Sequence, residues 1–247
     1  MRFDHLVAWV PELDEAVRAY RARGFHVKYG GEHPMWGTHN AVCHFGLPYV
    51  ELIAVVDPAL TPAGPAHIFR GAGRLLARGG GALTFAVAVS DVEAAAERLR
   101  ERGLSVADPV PGERRRPDGT RLTWRMAPIE AGPSWRPFLI EWGEADSRRL
   151  ASLREQGLDA PHPLGDLALD HLVIASRDPA ADATWAARLT GRGAAPEGGV
   201  WRVPLPGCDL VLIAESGEPG IAEVVLRGPI PQSFDLFGLR VTVRPLG

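Results

Sequence analysis

Apolar residues dominate the run Phe3 to Val10, then recur at helical spacing as Leu13, Val17 and Tyr20 before Gly24. A short apolar run bounded by turn signals reads as a buried strand, and the spacing after it as a helix with one apolar face. The same pattern returns at Leu83 to Val89, with Val92, Ala96 and Leu99 on the helix and Gly103 closing it. The two copies align without a gap at a constant offset of 79 residues. A third copy begins Leu169-Asp170-His171-Leu172-Val173-Ile174 and continues in a helix from Asp178 to Thr190, closed by Gly191. An Asp-His pair sits in the opening strand of the first and third copies, as Asp4-His5 and Asp170-His171.

Strand candidates follow each helix. In the first copy they are Phe25 to Tyr29, Thr38 to Phe45 and Tyr49 to Val56; in the second, Leu104 to Ala107, Leu122 to Ala127 and Phe138 to Trp142. The third copy offers Val200 to Pro204 and Leu210 to Glu215, and Ile221 to Leu226 and Leu239 to Arg244 follow without another helix. Ser90 with Glu93 reads as a capping box, and Asp178-Pro179 as an N-cap with proline at the first helical position. The stretch Asp57 to Gly81 is a connector in which His67 to Arg78 can hold a short helix; Ser147 to Gly165 is polar and carries the helix stop Pro161-His162-Pro163. The expectation is an α+β chain of paired βαβββ modules, forming a curved mixed sheet with helices outside, plus a third, incomplete module. Its boundaries are 1–145 for the two paired modules, 146–166 for a linker and 167–247 for the third.

Composition narrows the function classes. The formal charge of −3 over 247 residues gives no footprint for nucleic acid, and Lys28 is the only lysine. Cys43 and Cys208 are too few for a disulfide framework or a thiolate zinc site and read as buried small hydrophobes. No apolar run reaches membrane-spanning length, and the N-terminus has no signal-peptide pattern. A soluble, cytoplasmic protein with no nucleic-acid or membrane partner is expected, and the partly covered third module allows a homodimer.

A βαβββ unit cannot bury its sheet face alone, so two units should close around a shared concavity, with their first and last strands pointing side chains at its centre. The first strand offers His5, and the last strand Tyr49-Val50-Glu51-Leu52 sets one carboxylate in an apolar run. Leu139-Ile140-Glu141-Trp142 repeats that pattern. Matching Pro48 with Pro137 would instead put Ile140 opposite Glu51, and a one-residue slip reverses every side chain's face. The like character of Val50-Glu51-Leu52 and Ile140-Glu141-Trp142 favours Glu141 inside; the alternative is a rim carboxylate paired to an arginine. Trp36, Thr38 and Asn40 share a strand face and can line a pocket mouth, or can satisfy a local turn, and His33, His39 and His44 cluster nearby. From Arg114-Arg115-Arg116, ahead of the Pro117-Asp118-Gly119 turn, one guanidinium can clamp an anionic substrate, or all can be solvated.

Several motifs together resemble the vicinal oxygen chelate superfamily and its glyoxalase-like proteins. They are the βαβββ repeat with its Asp-His start, Gly37-Thr38-His39-Asn40, Tyr49-Val50-Glu51-Leu52, Arg116-Pro117-Asp118-Gly119 leading to Trp124, and Pro137 to Trp142. The resemblance covers about residues 1 to 145 well and 167 to 215 more weakly. It implies a divalent metal, here Mn, Fe, Ni or Zn, held by His5, Glu51 and Glu141, with Thr84 standing where a second histidine is expected. Glu51 and Glu141 are then the candidate catalytic carboxylates, and Trp36, Thr38, Asn40, Arg116 and Trp124 the candidate substrate contacts. His171 matches His5, but Val211 replaces the glutamate of its module.

Three functions follow as expectations. The first is a metal-assisted lyase, isomerase or dioxygenase acting on a small oxygen-bearing molecule. The second is a metal-free protein that binds or sequesters a small molecule, with Trp9, Trp36, Trp124 and Trp142 carrying the contact. The third is a structural role for the degenerate third unit.

Overall fold

The computed structural model describes residues 1–61 and 66–245. The first module runs β1 (Arg2–Trp9), α1 (Leu13–Ala22), β2 (Lys28–His33), β3 (Thr38–His44) and β4 (Tyr49–Val55). Two short helices, α2 (Ala66–Phe69) and α3 (Ala72–Leu76), occupy the connector where one helix was expected. The second module runs β5 (Gly81–Ala88), α4 (Val92–Glu101), β6 (Val110–Arg115), β7 (Arg121–Pro128) and β8 (Phe138–Glu141). In each, the last strand pairs in parallel with the first and the middle strands follow antiparallel, giving β1-β4-β3-β2 and β5-β8-β7-β6. The opening strands pair antiparallel, and a bridge from Glu32 to Arg115 joins β2 to β6. Eight strands therefore close into one ring around the shared concavity.

The repeat offset holds in detail. Helix α4 starts and stops 79 residues after α1, and the β1–β5 ladder slips once at Asp4 and once at Leu83, also 79 residues apart. Helix α4 is capped by Asp91, whose carboxylate accepts from Ala94 N–H, rather than by Ser90; the chain is already extended at Asp91, one residue later than the capping box implies. Strand β6 lies beyond the expected Leu104 to Ala107 segment, of which only Val106 makes an isolated bridge.

Helix α5 (Asp146–Glu155) lies in the segment expected as a linker. The chain around it is tied to the first module: Lys28 Nζ donates to Gln156 O at 2.9 Å, and His162 takes the His26 N–H at 2.9 Å while donating to His44 O at 2.9 Å.

The third module is fuller than expected. It runs β9 (Ala168–Ser176), α6 (Pro179–Thr190), β10 (Ala195–Glu197), β11 (Val200–Val203) and β12 (Asp209–Ala214), in the order β9-β12-β11-β10. Strands β13 (Gly220–Arg227), β14 (Gln232–Leu236) and β15 (Leu239–Arg244) form a helixless counterpart. β13 runs antiparallel to β9 as β5 does to β1, and β15 runs parallel to β13. Ile221 meets Ala82 and so joins the two sheets. Helix-side apolar residues such as Phe3, Leu6, Leu52 and Phe85 form the main core. A second cluster, including Trp9, Ile53, Met126 and Ile140, lies on the ring's inner face. Among the described residues no helix is long and apolar enough to cross a membrane.

Candidate active site

The slip at Asp4 is a β-bulge, a device that re-aims a side chain. Asp4 is fully buried and takes four donors: Arg2 Nη1 at 3.0 Å, Trp142 Nε1 at 3.1 Å, Arg149 Nη1 at 3.1 Å and His5 Nδ1 at 2.8 Å. Burial alone would favour the neutral acid, but the Arg149 guanidinium and the His5 contact hold its carboxyl well below the usual carboxylate range. An ionised Asp4 can only accept, so in the neutral imidazole the proton of His5 sits on Nδ1 and Nε2 carries the lone pair. That nitrogen points towards Glu51, whose Oε2 lies 3.6 Å away. The other Glu51 oxygen accepts from the Asn40 side-chain amide.

Tyr49 holds the imidazole from the side, its ring stacked between His5 and His44 with centroids 4.5 Å from each. His5 and Glu51 face a partly open pocket, about 430 Å³ when the space at its mouth is included, whose walls include Trp36, Ile53, Trp124, Phe138 and Trp142. Its end is covered by Ile68 of α2, which Trp9 anchors by donating its indole N–H to the Ile68 carbonyl at 3.0 Å. His33 and Arg114 also reach this space. Burial holds the His33 imidazole down to about 4, so it is neutral near pH 7.

Of the expected site residues, His5, Glu51, Trp36 and Trp124 meet at the cavity. Asn40 stands behind Glu51, and Thr38 is buried against His33 Nδ1 at 3.0 Å. Arg116 lines a smaller adjoining cavity. Glu141 is on the other face of β8: it accepts the Val92 N–H at 2.8 Å at the start of α4, near the exposed Asp91 and Glu93. The reason is register. Val7 pairs with Glu51, and Ala86, 79 residues after Val7, pairs with Phe138, so Phe138 and Ile140 face inwards and Glu141 outwards. Thr84 keeps its place on β5, but its hydroxyl donates to Arg136 O at 2.9 Å. His171 is held by Asp170 at 2.8 Å, and Val211 occupies the place of Glu51 in that module, as expected.

The glyoxalase-like domain family model matches residues 3–190. The chain belongs to this glyoxalase-like family. A search of curated proteins by sequence finds no match to this glyoxalase-like chain. Among solved structures it is similar to a hypothetical protein from Staphylococcus aureus, with a TM-score of 0.84, 18% identity and 99% of each chain covered. It is also similar to a mutant 4-hydroxymandelate synthase from Streptomyces coelicolor, with a TM-score of 0.60 and 14% identity over 92% of this chain and 71% of that one. A methylmalonyl-CoA epimerase from Streptomyces coelicolor matches 58% of this chain and 99% of its own at 23% identity, with a TM-score of 0.42. At these identities the first two likenesses establish the fold alone.

The donor set of this glyoxalase-like protein does not suit the metal that the resemblance implies. Of the four equivalent positions only His5 and Glu51 carry ligating side chains; Thr84 is committed to a carbonyl and the fourth is Phe138. Catalytic sites of the zinc type bring three protein ligands. Arg114 adds positive charge to the same cavity. The Asp4-His5 pair is visible in the sequence, but the role of Asp4 in setting the tautomer is not. Nothing in the sequence marks Tyr49 as a stacking partner, and Arg149 sits in a polar segment with no signal that it turns inwards.

Proposed function

We propose that this glyoxalase-like protein is an enzyme of the isomerase or lyase type. It would transfer a proton on a small oxygen-bearing molecule held in the β1–β8 ring, with His5 and Glu51 as the exchanging groups. The observation that carries the reading is the orientation of His5: its Nδ1 is committed to Asp4 at 2.8 Å, and its Nε2 faces Glu51 at 3.6 Å. Nε2 is then the free basic atom. A proton leaving the carbon beside a ligand carbonyl is taken by Nε2. It returns to the ligand from Nε2 or, after crossing to Oε2, from Glu51. The aromatic walls hold the ligand's body and exclude water around the exchange.

The test is a screen of small carbonyl compounds with chelator-treated protein, product formation being followed by NMR. Turnover by wild type and its loss in His5→Gln and Glu51→Gln is expected. Turnover only after a divalent metal is restored would replace this reading with the metal-assisted one. Binding without turnover would leave a sequestering protein, a reading that the tryptophan-lined wall supports.

A further inference from the structure

Arg114 lies on the inward face of β6, 7% exposed, between the His5–Glu51 cavity and the adjoining one. Among the described residues its guanidinium makes no hydrogen bond and no ion pair within 4.0 Å, and its Nε is a buried donor without a partner. An arginine stays charged and carries five donors, so an interior site without acceptors is unfavourable unless something supplies them. The other buried cation here, Arg149, is already matched by Asp4 and stacks on Trp142 at 4.1 Å. The sequence also makes room for Arg114. A Cβ on Gly30 would sit 2.9 Å from Arg114 Nη1 and 2.3 Å from Asn40 Oδ1, itself a buried acceptor without a partner. A Cβ on Gly112 would strike the indole of Trp124, so glycine there lets that ring lie against the strand beside the arginine.

We propose that Arg114 is the docking group for a carboxylate on the ligand, and that the ligand is a small monocarboxylic acid with an apolar or aromatic body. Its acid group pairs with the guanidinium, its body lies against Trp36 and Trp124, and its reacting carbon faces His5. Arg114 feels the Glu51 carboxylate across the cavity but pairs with no acid within 4.0 Å, and Arg116 beside it also carries a buried Nε without a partner, so a single carboxylate can be taken up here; a phosphate dianion would bring a second charge towards Glu51 on the same cavity. The inference rests on the same cavity being the ligand site, and it names the substrate class for that reading.

The test uses the full chain with phenylacetate, phenylacetamide and phenyl phosphate as probes, binding being read by tryptophan fluorescence and calorimetry at low salt. Phenylacetate should bind about tenfold or more tightly than phenylacetamide, and Arg114→Met should reduce it to the level of the amide. His5→Gln should keep the preference for the acid, which separates failure of the docking site from failure of the proton-transfer reading. Without ligand, Arg114→Met should melt at or above the wild-type temperature, because it removes an unmatched buried charge. Equal binding of acid and amide, no binding of the acid at millimolar concentration, or tighter binding of phenyl phosphate would overturn the proposal. A melting temperature for Arg114→Met below that of wild type would do the same, since the guanidinium would then serve the fold.

Discussion

Tyr49 lies nearly parallel to His5, their ring centroids 4.5 Å apart and their planes 22° from each other. The two residues also pair across the parallel β1–β4 ladder, so the stack is fixed by backbone register and not by side-chain choice alone. His44 repeats the contact on the far side of Tyr49 at 4.5 Å.

Replacing Tyr49 by alanine removes the centre of this stack from a site that is 4% exposed. A loss of about 3–5 kcal/mol is expected, the range for deleting a buried aromatic ring. Tyr49→Phe keeps the stack and should cost far less. Urea unfolding of both variants checks the difference, and equal losses would count against a packing role for the ring.

Asp4→Asn keeps the shape of the acid but removes the charge that matches Arg149, whose side chain is 7% exposed. Breaking a buried pair by removing one partner costs about 3–5 kcal/mol. The same change frees the His5 tautomer. Denaturant unfolding should therefore show a lower midpoint, and ¹⁵N NMR of the imidazole should show the proton no longer confined to Nδ1.

Acid should destabilise the protein through two buried imidazoles. Burial holds His33 down to about 4 and His44 to about 3, against an ordinary value of 6.5. Below that value the unfolded chain takes up protons that the folded chain refuses, so stability falls as pH drops. The loss is up to about 1.4 kcal/mol per pH unit for each group. It continues to about pH 4 for His33 and about pH 3 for His44. Thermal unfolding between about pH 7 and about pH 5 should show the slope, and His44→Gln should flatten it.

Metal affinity should depend on two positions together. Thr84→His alone adds one nitrogen on β5, while Thr84→His with Phe138→Glu, on the strand paired with β5, restores a set of two imidazoles and two carboxylates. Calorimetric titration with Mn, Fe, Ni or Zn should show weak binding by wild type and a large gain in the double variant. Tight stoichiometric binding by wild type would contradict the reading of the donor set.

Much of this architecture was legible because a gapless repeat constrains many residues at once. The spacing of Leu13, Val17 and Tyr20 against Val92, Ala96 and Leu99 placed both helices, and the Asp-His start placed His5. Strand β6 escaped notice because its buried positions are Gly112 and Arg114, which carry no apolar alternation. Strand β10 is illegible because Ala195, Pro196 and Glu197 are all exposed and carry no apolar signal of a strand. The assignment of Glu141 failed on parity: a four-residue strand reading Phe-Leu-Ile-Glu is apolar enough to fit either face, and only pairing with Ala86 decides. Arg149 was illegible because a polar helix gives no hint that one of its arginines crosses to a buried aspartate.

The most direct measurement of proton transfer by His5 and Glu51 is solvent deuterium uptake. Chelator-treated protein in D₂O is incubated with small carboxylic acids bearing a carbonyl group, and their C–H signals are followed by NMR. Expected is loss of one C–H signal with wild type, abolished in both His5→Gln and Glu51→Gln and unaffected by added metal. Tight binding of the same acids with no deuterium uptake, or uptake undiminished in the two variants, would contradict it.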